Sequence, residues 1–326
     1  MKILYFMPKA SMPYSASNIG MIFMFEKYAD VKYYPPTLFD PSDLSKVGSI
    51  DVLDVIHRLY PNDYPDIIIT WGIHTGGLFC TLKNFDLARC LRVVWLLEIH
   101  NDIMRPEVYE FLKKGGADLV LKSQDYSNTS EYGQRLKDLN VPVEWYPYSI
   151  DPELFYDRKL PKIYDVVNIG QRTTQHYPVR YRAHEVLSNQ NEIKYLGSSS
   201  VVAYRGEEYA RIINQSKIFL TDTSSFRFAI PKLFEVMASN TLLMTTAPRS
   251  AEILGLEDGV NYVEIKDVAP EASRVNVDSF MQPIRYYLQH PDEIAQIAQR
   301  GHDLVHSRHT HDIRAREMIQ VFKKYL

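Results

Sequence analysis

The sequence predicts an α/β fold with two open parallel sheets. Short apolar runs alternate with amphipathic stretches along most of the chain, which is the pattern of β-α repetition. The length of 326 residues favours two domains rather than one. Residues 146–162 are rich in proline and tyrosine and interrupt the periodicity, so we expect the domain boundary there, at about residue 150.

The first half contains six predicted strands, each a short apolar run bounded by polar or turn residues. They span Ile3–Met7, Val31–Tyr34, Ile67–Trp71, Val93–Leu97, Leu119–Lys122 and Val143–Tyr146. Four helices are predicted between them, at Asn18–Tyr28, Val52–Leu59, Glu107–Lys114 and Ser127–Leu139. Small polar residues precede the first of these helices, as N-terminal capping requires. We therefore expect residues 1–150 to form the first α/β domain.

The second half restarts the same pattern. Strands are predicted at 164–170, Ile193–Leu196, Ile218–Thr221, Leu242–Thr245 and Tyr262–Ile265. Helices are predicted at 179–187, 276–289, 291–306 and 310–325, with others between the strands. Residues 151–308 are therefore expected to form the second domain, and residues 309–326 a final helix.

Composition excludes several classes of protein. The net charge of −3 and the pI near 6.4 provide no overall basic surface for nucleic acid. The two cysteines are too few for a disulfide framework, which favours a reduced, cytoplasmic protein. No apolar run approaches the roughly 18 residues of a membrane span. The glycine motifs of dinucleotide-binding proteins, P-loop nucleotidases and esterases are absent from the sequence.

A histidine-rich segment near the end of the chain raises the question of a metal site. His302 and His306 stand four positions apart, a spacing that can hold a metal ion on a helix. Histidines near the end of a helix also interact favourably with the helix dipole. Because no third ligand can be identified in the sequence, we expect no metal site.

The loops that follow strands are where a parallel sheet binds its ligands. Gly170 ends a predicted strand and Arg172 follows it, so its guanidinium can reach a phosphate in the cleft. Lys232 begins the apolar helix that contains Glu235. Glu235 can accept hydrogen bonds from a ribose diol while Lys232 and Arg172 offset a diphosphate. The alternative is that Glu235 forms a purely structural ion pair with Lys232 or with a distant arginine.

Two further groups of residues follow predicted strands. The turn at Pro248–Ser250 precedes a predicted helix, so Arg249, Ser250 and the amides after them are candidates for binding an anion. In the first half, His74 and the segment 96–102 follow strands. That segment contains Glu98, His100 and Asp102. For His100 and Asp102, a catalytic role and a structural role both remain open.

The second half resembles a known family of enzymes. Its motif is a basic residue, Phe-Glu-x-Met-Ala, a small turn residue and a later Gly-x-x-Tyr, which correspond to Lys232, Phe234–Ala238, Ser239 and Gly259–Tyr262. This is similar to the C-terminal half of the group 1 glycosyltransferases of the GT-B fold and their spore-maturation-protein-like branch. Residues 149–157 resemble the hinge of that family, and Arg180 or Arg182 lies near the position of its arginine. The resemblance covers 149–326 well and the first half only as a fold type.

The resemblance implies two Rossmann-like domains facing across a cleft, with the C-terminal helix crossing back to the N-terminal domain. It implies a hexosyltransferase-type enzyme that moves a sugar from a UDP- or GDP-sugar to an acceptor hydroxyl with retention, without a cofactor or a metal ion. Arg172 and Lys232 would stabilise the leaving diphosphate, with His100 and Asp102 as further catalytic candidates. The expected binding residues are Gly170, Arg172, Arg227, Lys232, Glu235, Arg249 and Ser250.

One departure from the family leaves other functions open. Arg227 stands eight positions before Glu235, where retaining relatives have a second glutamate. This favours, as one alternative, a non-catalytic nucleotide- or sugar-binding or surface-assembly protein. A sugar-nucleotide epimerase or phosphorylase on the same fold is another. A carbohydrate, a lipid-linked sugar, a protein side chain or a nucleic-acid base would each suit as acceptor, although the net charge does not favour nucleic acid.

Overall fold

The computed structural model describes two compact units of the chain. The described residues are 1–6, 24–34, 49–71, 81–96, 103–125, 130–199, 204–266 and 277–326. Unit 1 contains the described residues up to Pro147 together with Arg314–Leu326. Unit 2 contains the described part of Tyr148–Ile313. The C-terminal segment thus packs with the N-terminal half of the chain.

Unit 1 contains a six-stranded parallel sheet and a separate pair of strands. In chain order the strands of the unit are β1 (Lys2–Phe6), β2 (Asp30–Tyr33), β3 (Ser49–Asp51), β4 (Ile67–Trp71), β5 (Thr81–Lys83), β6 (Leu91–Leu96), β7 (Leu119–Lys122) and β8 (Val143–Trp145). The main sheet has the order β2-β1-β4-β6-β7-β8 and confirms the six predicted strands. The pair β3 and β5 forms a separate two-stranded parallel sheet that the sequence did not predict. Runs of three residues are too short to show a periodic pattern.

The helices of unit 1 begin at side-chain caps or at proline. They are α1 (Val52–Leu59), α2 (Pro106–Lys113) and α3 (Glu131–Lys137). The Asp51 carboxylate accepts hydrogen bonds from two amides of the first turn of α1, and Ser130 Oγ accepts one from Gly133 N at the start of α3. The predicted helix at Asn18–Tyr28 is corrected in its described part, where Met24–Lys27 forms a 3-10 turn. The remainder lies outside the described residues.

Unit 2 contains a five-stranded sheet that is parallel throughout. Its strands are β9 (Tyr164–Ile169), β10 (Tyr195–Ser198), β11 (Ser216–Leu220), β12 (Leu242–Thr245) and β13 (Val263–Glu264). Their order in the sheet is β10-β9-β11-β12-β13. All five strands were predicted, with ends that differ by one to two residues in most cases. The carboxyl ends of the five strands therefore lie along one edge, which we call the carboxyl edge.

Helices cover both faces of this sheet. The helices that follow β9 along the chain are α4 (Pro178–Leu187), α5 (Gly206–Asn214), α6 (Pro231–Ala238), α7 (Ala251–Leu254), α8 (Val277–Gln289), α9 (Pro291–Arg308) and α10 (His311–Tyr325). The last of them, α10, belongs to unit 1 from Arg314 onward. The central strand β11 shows the two faces: Ile218 and Leu220 belong to the apolar cluster with α4, α8 and α9. Phe219 lies between them and meets the ring of Tyr209 on α5, with ring centroids 6.3 Å apart. A strand buried on both faces explains the continuous apolar run in the sequence.

Helix α10 returns the chain to unit 1, as the resemblance implied. Phe322 is fully buried and packs on Phe25, with ring centroids 6.0 Å apart. The Tyr325 hydroxyl donates a hydrogen bond to Glu144 on β8 over 2.8 Å. None of the helices in the described ranges combines the length and the apolar character of a membrane-spanning segment.

Helix α9 approaches the loop after α7 so closely that only glycine fits at Gly301. A Cβ atom at that position would lie 2.7 Å from the carbonyl oxygen of Asn261. In an ordinary helix, alanine is more stable than glycine by roughly 0.5–1 kcal/mol. We expect Gly301→Ala to act in the opposite direction and to lower the free energy of unfolding by about 1–3 kcal/mol, because the backbone must shift. Thermal denaturation measures the change.

The exposed Ser307 of the same helix provides the control. Ser307→Ala is expected to change the melting temperature little. A Gly301→Ala variant that melts at or above the wild-type temperature would contradict the packing described for α9.

Candidate functional site

The loops that follow β11 and β12 are joined at the carboxyl edge of unit 2. Thr223 N donates to Thr246 Oγ1 over 3.0 Å, and the hydroxyl groups of these two threonines lie 2.7 Å apart. Arg249 N donates to the Arg227 carbonyl over 2.8 Å. The two loops therefore form one polar rim beside the end of β9.

Gly170 follows β9 and makes room for two cationic side chains. Its φ of +139° is accessible to glycine and rare for other residues. A Cβ atom here would lie 2.8 Å from Arg180 Nη1 and 3.4 Å from Lys232 Cε. The structure therefore brings the predicted residues Gly170 and Lys232 together. Arg180 also lies at this position. In the sequence analysis it was one of two candidates, with Arg182, for the arginine of the family.

Arg180 is held by a buried ion pair with Asp222. The two side chains are 5% and 1% exposed, and Arg180 Nε lies 3.1 Å from Asp222 Oδ1. The backbone amide of Arg180 also donates to Asp222 Oδ2 over 3.1 Å. Burial raises the pKa of the Asp222 carboxyl, while the charge of Arg180 opposes this rise. The guanidinium is covered by Tyr177, whose ring centroid is 4.1 Å from Arg180 Cζ.

Lys232 lies in the first turn of α6, partly buried among charged neighbours. Burial, together with the nearby positive charge of Arg180, lowers its pKa to about 8. The negative charges of Glu235 and Asp222 oppose this decrease. Its ammonium group lies 5.6 Å from the centroid of the Tyr209 ring. Lys232 is therefore surrounded by one cation, Arg180, and two acids, Glu235 and Asp222.

Glu235 lies one turn further along α6 and is 3% exposed. Its carboxylate lies near the Tyr209 hydroxyl. The pKa of Tyr209 is raised mainly by burial and secondly by the negative charge of Glu235. Glu235 is also electrostatically coupled to Lys232. Glu235 therefore belongs to the same group of residues as the two cations. We call this group, which consists of Gly170, Arg180, Asp222, Lys232 and Glu235, the cationic cluster.

Arg172 lies on the β10 side of the same edge. Its Nη2 donates to the Asn168 carbonyl over 3.1 Å. Burial lowers the pKa of Arg172. Burial also lowers the pKa of His184 and raises that of Tyr195 to about 12; the charge of Arg172 adds to the first shift and opposes the second. These interactions are with residues on and next to β10. A shared role with Lys232 stays a prediction.

The remaining predicted residues of unit 2 lie in the joined loops. Arg227 is 53% exposed, and its Nη2 lies 3.8 Å from Glu264. Arg249 Nε donates to the Phe226 carbonyl over 3.3 Å. Ser250 Oγ is buried and has no hydrogen-bond partner within the described part of the chain. Helix α7 is a single four-residue turn, and Ala251 N donates to the Pro248 carbonyl just before it. The contacts of Arg249 and Arg227 join the two loops to each other and to β13.

The candidate residues of the first half lie outside the described ranges. This applies to His74 in 72–80 and to Glu98, His100 and Asp102 in 97–102. Strand β6 ends at Leu96, immediately before the second segment.

The paired histidines near the C-terminus hold α6 in place. His302 Nδ1 and His306 Nε2 lie 2.7 Å and 3.2 Å from the Ala238 carbonyl, which is at the end of α6. Because a carbonyl only accepts, both rings donate to it. No group of three or more potential metal ligands occurs among the residues that the structure describes. The four-residue spacing is thus used for capping a helix end.

The comparison with known proteins agrees with this architecture. Residues 171–320 match the model of the family described as glycosyl transferase-like. The matched segment contains Arg172, Arg180, Lys232 and Glu235. No curated protein is similar enough in sequence to be matched with the chain.

Solved structures show the fold of the whole chain. Sucrose-phosphate synthase from Thermosynechococcus elongatus is 12% identical, with a TM-score of 0.60 over 99% of this chain and 98% of that chain. A glycosyltransferase from Rickettsia africae ESF-5 is 10% identical, with a TM-score of 0.55 over 99% and 98%. Anabaena HepE, solved with UDP and glucose, is 13% identical, with a TM-score of 0.55 over 99% of both chains. The predictions of the GT-B fold and of the glycosyltransferase class are confirmed.

The buried ion pair is expected to dominate the stability of the domain around the cationic cluster. Asp222→Asn leaves Arg180 buried without a compensating charge, which typically costs about 3–5 kcal/mol. The measurement is the free energy of unfolding from urea titration. Glu192→Gln serves as the control, because it breaks an exposed pair with Arg285 of 3.3 Å. Exposed pairs contribute less than about 1 kcal/mol. Equal losses in the two variants would contradict the assigned burial.

Proposed function

We propose that the chain transfers a glycosyl unit from a UDP- or GDP-sugar to a hydroxyl group of an acceptor. One observation carries the proposal: Lys232 and Arg180 meet above Gly170 at the carboxyl edge, with Glu235 one turn further along α6. A glycine beside two cations allows a diphosphate to approach the backbone closely. The match to the glycosyl transferase-like family and the GT-B fold support the same reaction class.

Each residue of the cluster has a role in this proposal. Lys232 and Arg180 stabilise the negative charge that develops on the departing diphosphate. Arg172 adds a third positive charge from the β10 side. Glu235 accepts hydrogen bonds from the ribose. Side chains that offset the charge of the diphosphate leave no need for a metal ion, so the reaction is proposed to be independent of metals and cofactors.

The proposed reaction retains the anomeric configuration. The bond between the anomeric carbon and the diphosphate oxygen breaks, and a bond from the acceptor oxygen to that carbon forms on the same face. The proton of the acceptor hydroxyl passes to the departing diphosphate oxygen, so no protein base is required. If the reaction inverts, a base is needed, and Asp102, His100 and Glu98 are the first residues to test.

Uridine is the first nucleotide to test. HepE has been solved with UDP, with UDP and glucose, and with UDP-glucose. That protein and this chain share the fold over nearly their whole lengths. The acceptor is proposed to be a carbohydrate or another hydroxyl compound.

A second candidate function is binding without catalysis. Arg227 occupies the position where retaining relatives have an acid, and its side chain faces Glu264 rather than lying among the described members of the cationic cluster. A protein that binds a nucleotide sugar but neither transfers nor hydrolyses the sugar would fit this observation.

A panel of nucleoside diphosphates tests the proposed function. UDP, GDP, ADP, CDP and TDP are added, with and without Mg²⁺, to the wild type and to Glu235→Ala. We expect one of them to raise the melting temperature of the wild type without metal. At about 100 times its dissociation constant, a ligand adds roughly 2.7 kcal/mol to the free energy of unfolding. The shift should be largely lost in Glu235→Ala because the ribose contact is removed.

The control for this panel is Glu185→Ala, which removes an exposed acid of α4 outside the cluster. It should show the wild-type shift. If no nucleotide stabilises the wild type, the proposal of a nucleotide-sugar site fails.

The pKa of Lys232 makes nucleotide binding dependent on pH. Below about pH 8 its ammonium form is available for the diphosphate, and it is lost as the pH rises further. We expect the affinity for UDP to decrease between pH 7.5 and 9. In Lys232→Arg the decrease should be absent, because arginine stays charged. Isothermal titration calorimetry measures the affinity for UDP of the wild type and of Lys232→Arg. An equal decrease in the two proteins would contradict a role of Lys232 in binding the diphosphate.

The stability of the free protein should change in the opposite direction. The folded pKa of Lys232 lies below the value of about 10.4 for an unfolded chain. Between these two pH values the unfolded state binds more protons, so the contribution of Lys232 to stability increases with pH. Between about pH 8 and pH 9, the affinity for UDP therefore decreases while the contribution of Lys232 to stability increases.

A further inference from the structure

Arg227 and Arg249 form a pair of arginines at the carboxyl edge of unit 2. Arg227 lies in the loop after β11 and Arg249 in the loop after β12, and both residues are exposed. The Nε atom of each donates to a carbonyl of the other loop over 3.3 Å: Arg227 to Ala247, and Arg249 to Phe226. The two guanidinium groups are therefore held side by side. We call these two residues the arginine pair.

The hydrogen bonds of the arginine pair position the guanidinium groups for a further partner. A guanidinium group has several N–H donors, and Nε supplies only one of them. The terminal nitrogens carry the others, and they can bind a carboxylate or a phosphate through two parallel hydrogen bonds. Because the Nε atoms are already fixed, less side-chain freedom is lost when an anion binds.

The described acids around the arginine pair are few and loosely held. Glu264 at the end of β13 lies 3.8 Å from Arg227 Nη2, which is a long distance for an ion pair. Asp258 pairs instead with Lys266 over 2.7 Å. Arg249 forms no ion pair with any residue that the structure describes. Within ion-pair distance, two positive charges thus stand against one acid, and this excess attracts an anion.

The loop that carries Arg227 also has an unusual backbone. Arg227 has a φ of +55° and Ser224 a φ of +61°, both in the left-handed region that residues other than glycine rarely adopt. Strain of this kind concentrates at ligand-binding sites. A glycine would adopt the same backbone without strain. An arginine at this position therefore indicates a use for its side chain.

The arginine pair lies beside the cationic cluster, on the β12 side. Asp222 of the cluster begins the loop that contains Arg227. In the sheet order β10-β9-β11-β12-β13, the cluster lies at the ends of β9 and β11, whereas Arg249 follows β12. A nucleotide sugar has one group on each side of its diphosphate. With the diphosphate on the cluster, the group on the β12 side comes next to the arginine pair.

The charge of the arginine pair identifies that group as the sugar. A nucleoside has no negative charge apart from its phosphates, so two arginines would add little to its binding. A hexuronic acid carries a carboxylate that is ionised at neutral pH. The planar carboxylate matches the planar guanidinium group and forms charge-assisted hydrogen bonds with it. An acidic sugar therefore fits the arginine pair better than a neutral one.

We propose that Arg227 and Arg249 bind the carboxylate of the sugar in the donor, so that the donor is a nucleoside diphosphate hexuronic acid. The inference rests on the proposed function and names the class of sugar that is transferred. The two arginines select the donor and take no part in breaking or forming bonds. A neutral hexose would occupy the same place without this contact and would bind more weakly.

Calorimetric titration with matched donors tests the inference. The probes are UDP, UDP-glucose and UDP-glucuronic acid, with UDP-galactose and UDP-galacturonic acid as a second pair. If GDP is the nucleotide that binds, GDP-mannose and GDP-mannuronic acid replace them. The proteins are the wild type, Arg227→Gln, Arg249→Gln and Arg285→Gln. Arg285 is the matched control, because it is an exposed arginine of α8 that also lies 3.3 Å from one acid, Glu192.

We expect the wild type to bind the uronic acid donor at least about tenfold more tightly than the neutral donor, as charge-assisted hydrogen bonds imply. Arg227→Gln and Arg249→Gln should lose most of this preference. Both should bind UDP about as tightly as the wild type, because UDP has no carboxylate. Arg285→Gln should keep the preference. Arg249 has no left-handed backbone, so Arg249→Gln alone carries the test if the loop does not tolerate Arg227→Gln.

The outcomes separate the inference from the proposed function. If the wild type binds neither UDP nor GDP, the proposed function fails and the inference fails with it. If the wild type binds a nucleotide but does not prefer the acidic sugar, only the inference fails. A preference that persists in Arg249→Gln also overturns it. So does transfer of a neutral sugar to acidic acceptors alone, because the arginine pair would then serve the acceptor.

Discussion

The Arg180–Asp222 ion pair is the constraint on which the architecture of unit 2 depends. It joins the first turn of α4 to the loop after β11, and it fixes the guanidinium against the glycine that follows β9. Charges buried to this degree are tolerated only together, because either one alone is strongly destabilising. The pair therefore fixes the spacing between two neighbouring strands at the edge where a parallel sheet binds ligands.

Helix α6 is the second determinant, and it is fixed from its far end. His302 and His306 donate to its last carbonyl, and Lys162 Nζ donates to the Asn240 carbonyl just beyond it over 3.1 Å. The Ser239 hydroxyl donates to the Glu235 carbonyl over 2.9 Å. Because these hydrogen bonds fix the C-terminal end of α6, its first turn holds Lys232 in a fixed position at the carboxyl edge. The cationic cluster thus arises from packing at some distance from the cluster itself.

The sequence predicted those features that depend on local pattern. The parallel strands appear as apolar runs, and the motif around Glu235 identified the helix that carries Lys232 and Glu235 at the carboxyl edge. Asp222 was missed, although it follows a strand directly, because its partner Arg180 lies 42 positions away and no spacing rule joins them. The contact of Tyr209 with the cationic cluster was missed because a tyrosine on an amphipathic helix is an ordinary packing residue. Its position beside Glu235 depends on the packing of α5 on α6, which the sequence alone does not show.

The pKa of Lys232 also determines its chemical reactivity. At pH 7, an amine with a pKa of about 8 is neutral in about a tenth of the molecules, whereas for an ordinary lysine this fraction is below about one in a thousand. The neutral amine is the nucleophile that attacks aldehydes and activated esters. The burial that lowers this pKa therefore also gives Lys232 a larger neutral, nucleophilic fraction at neutral pH than an ordinary lysine has, and an anion bound to the ammonium form would reduce that fraction.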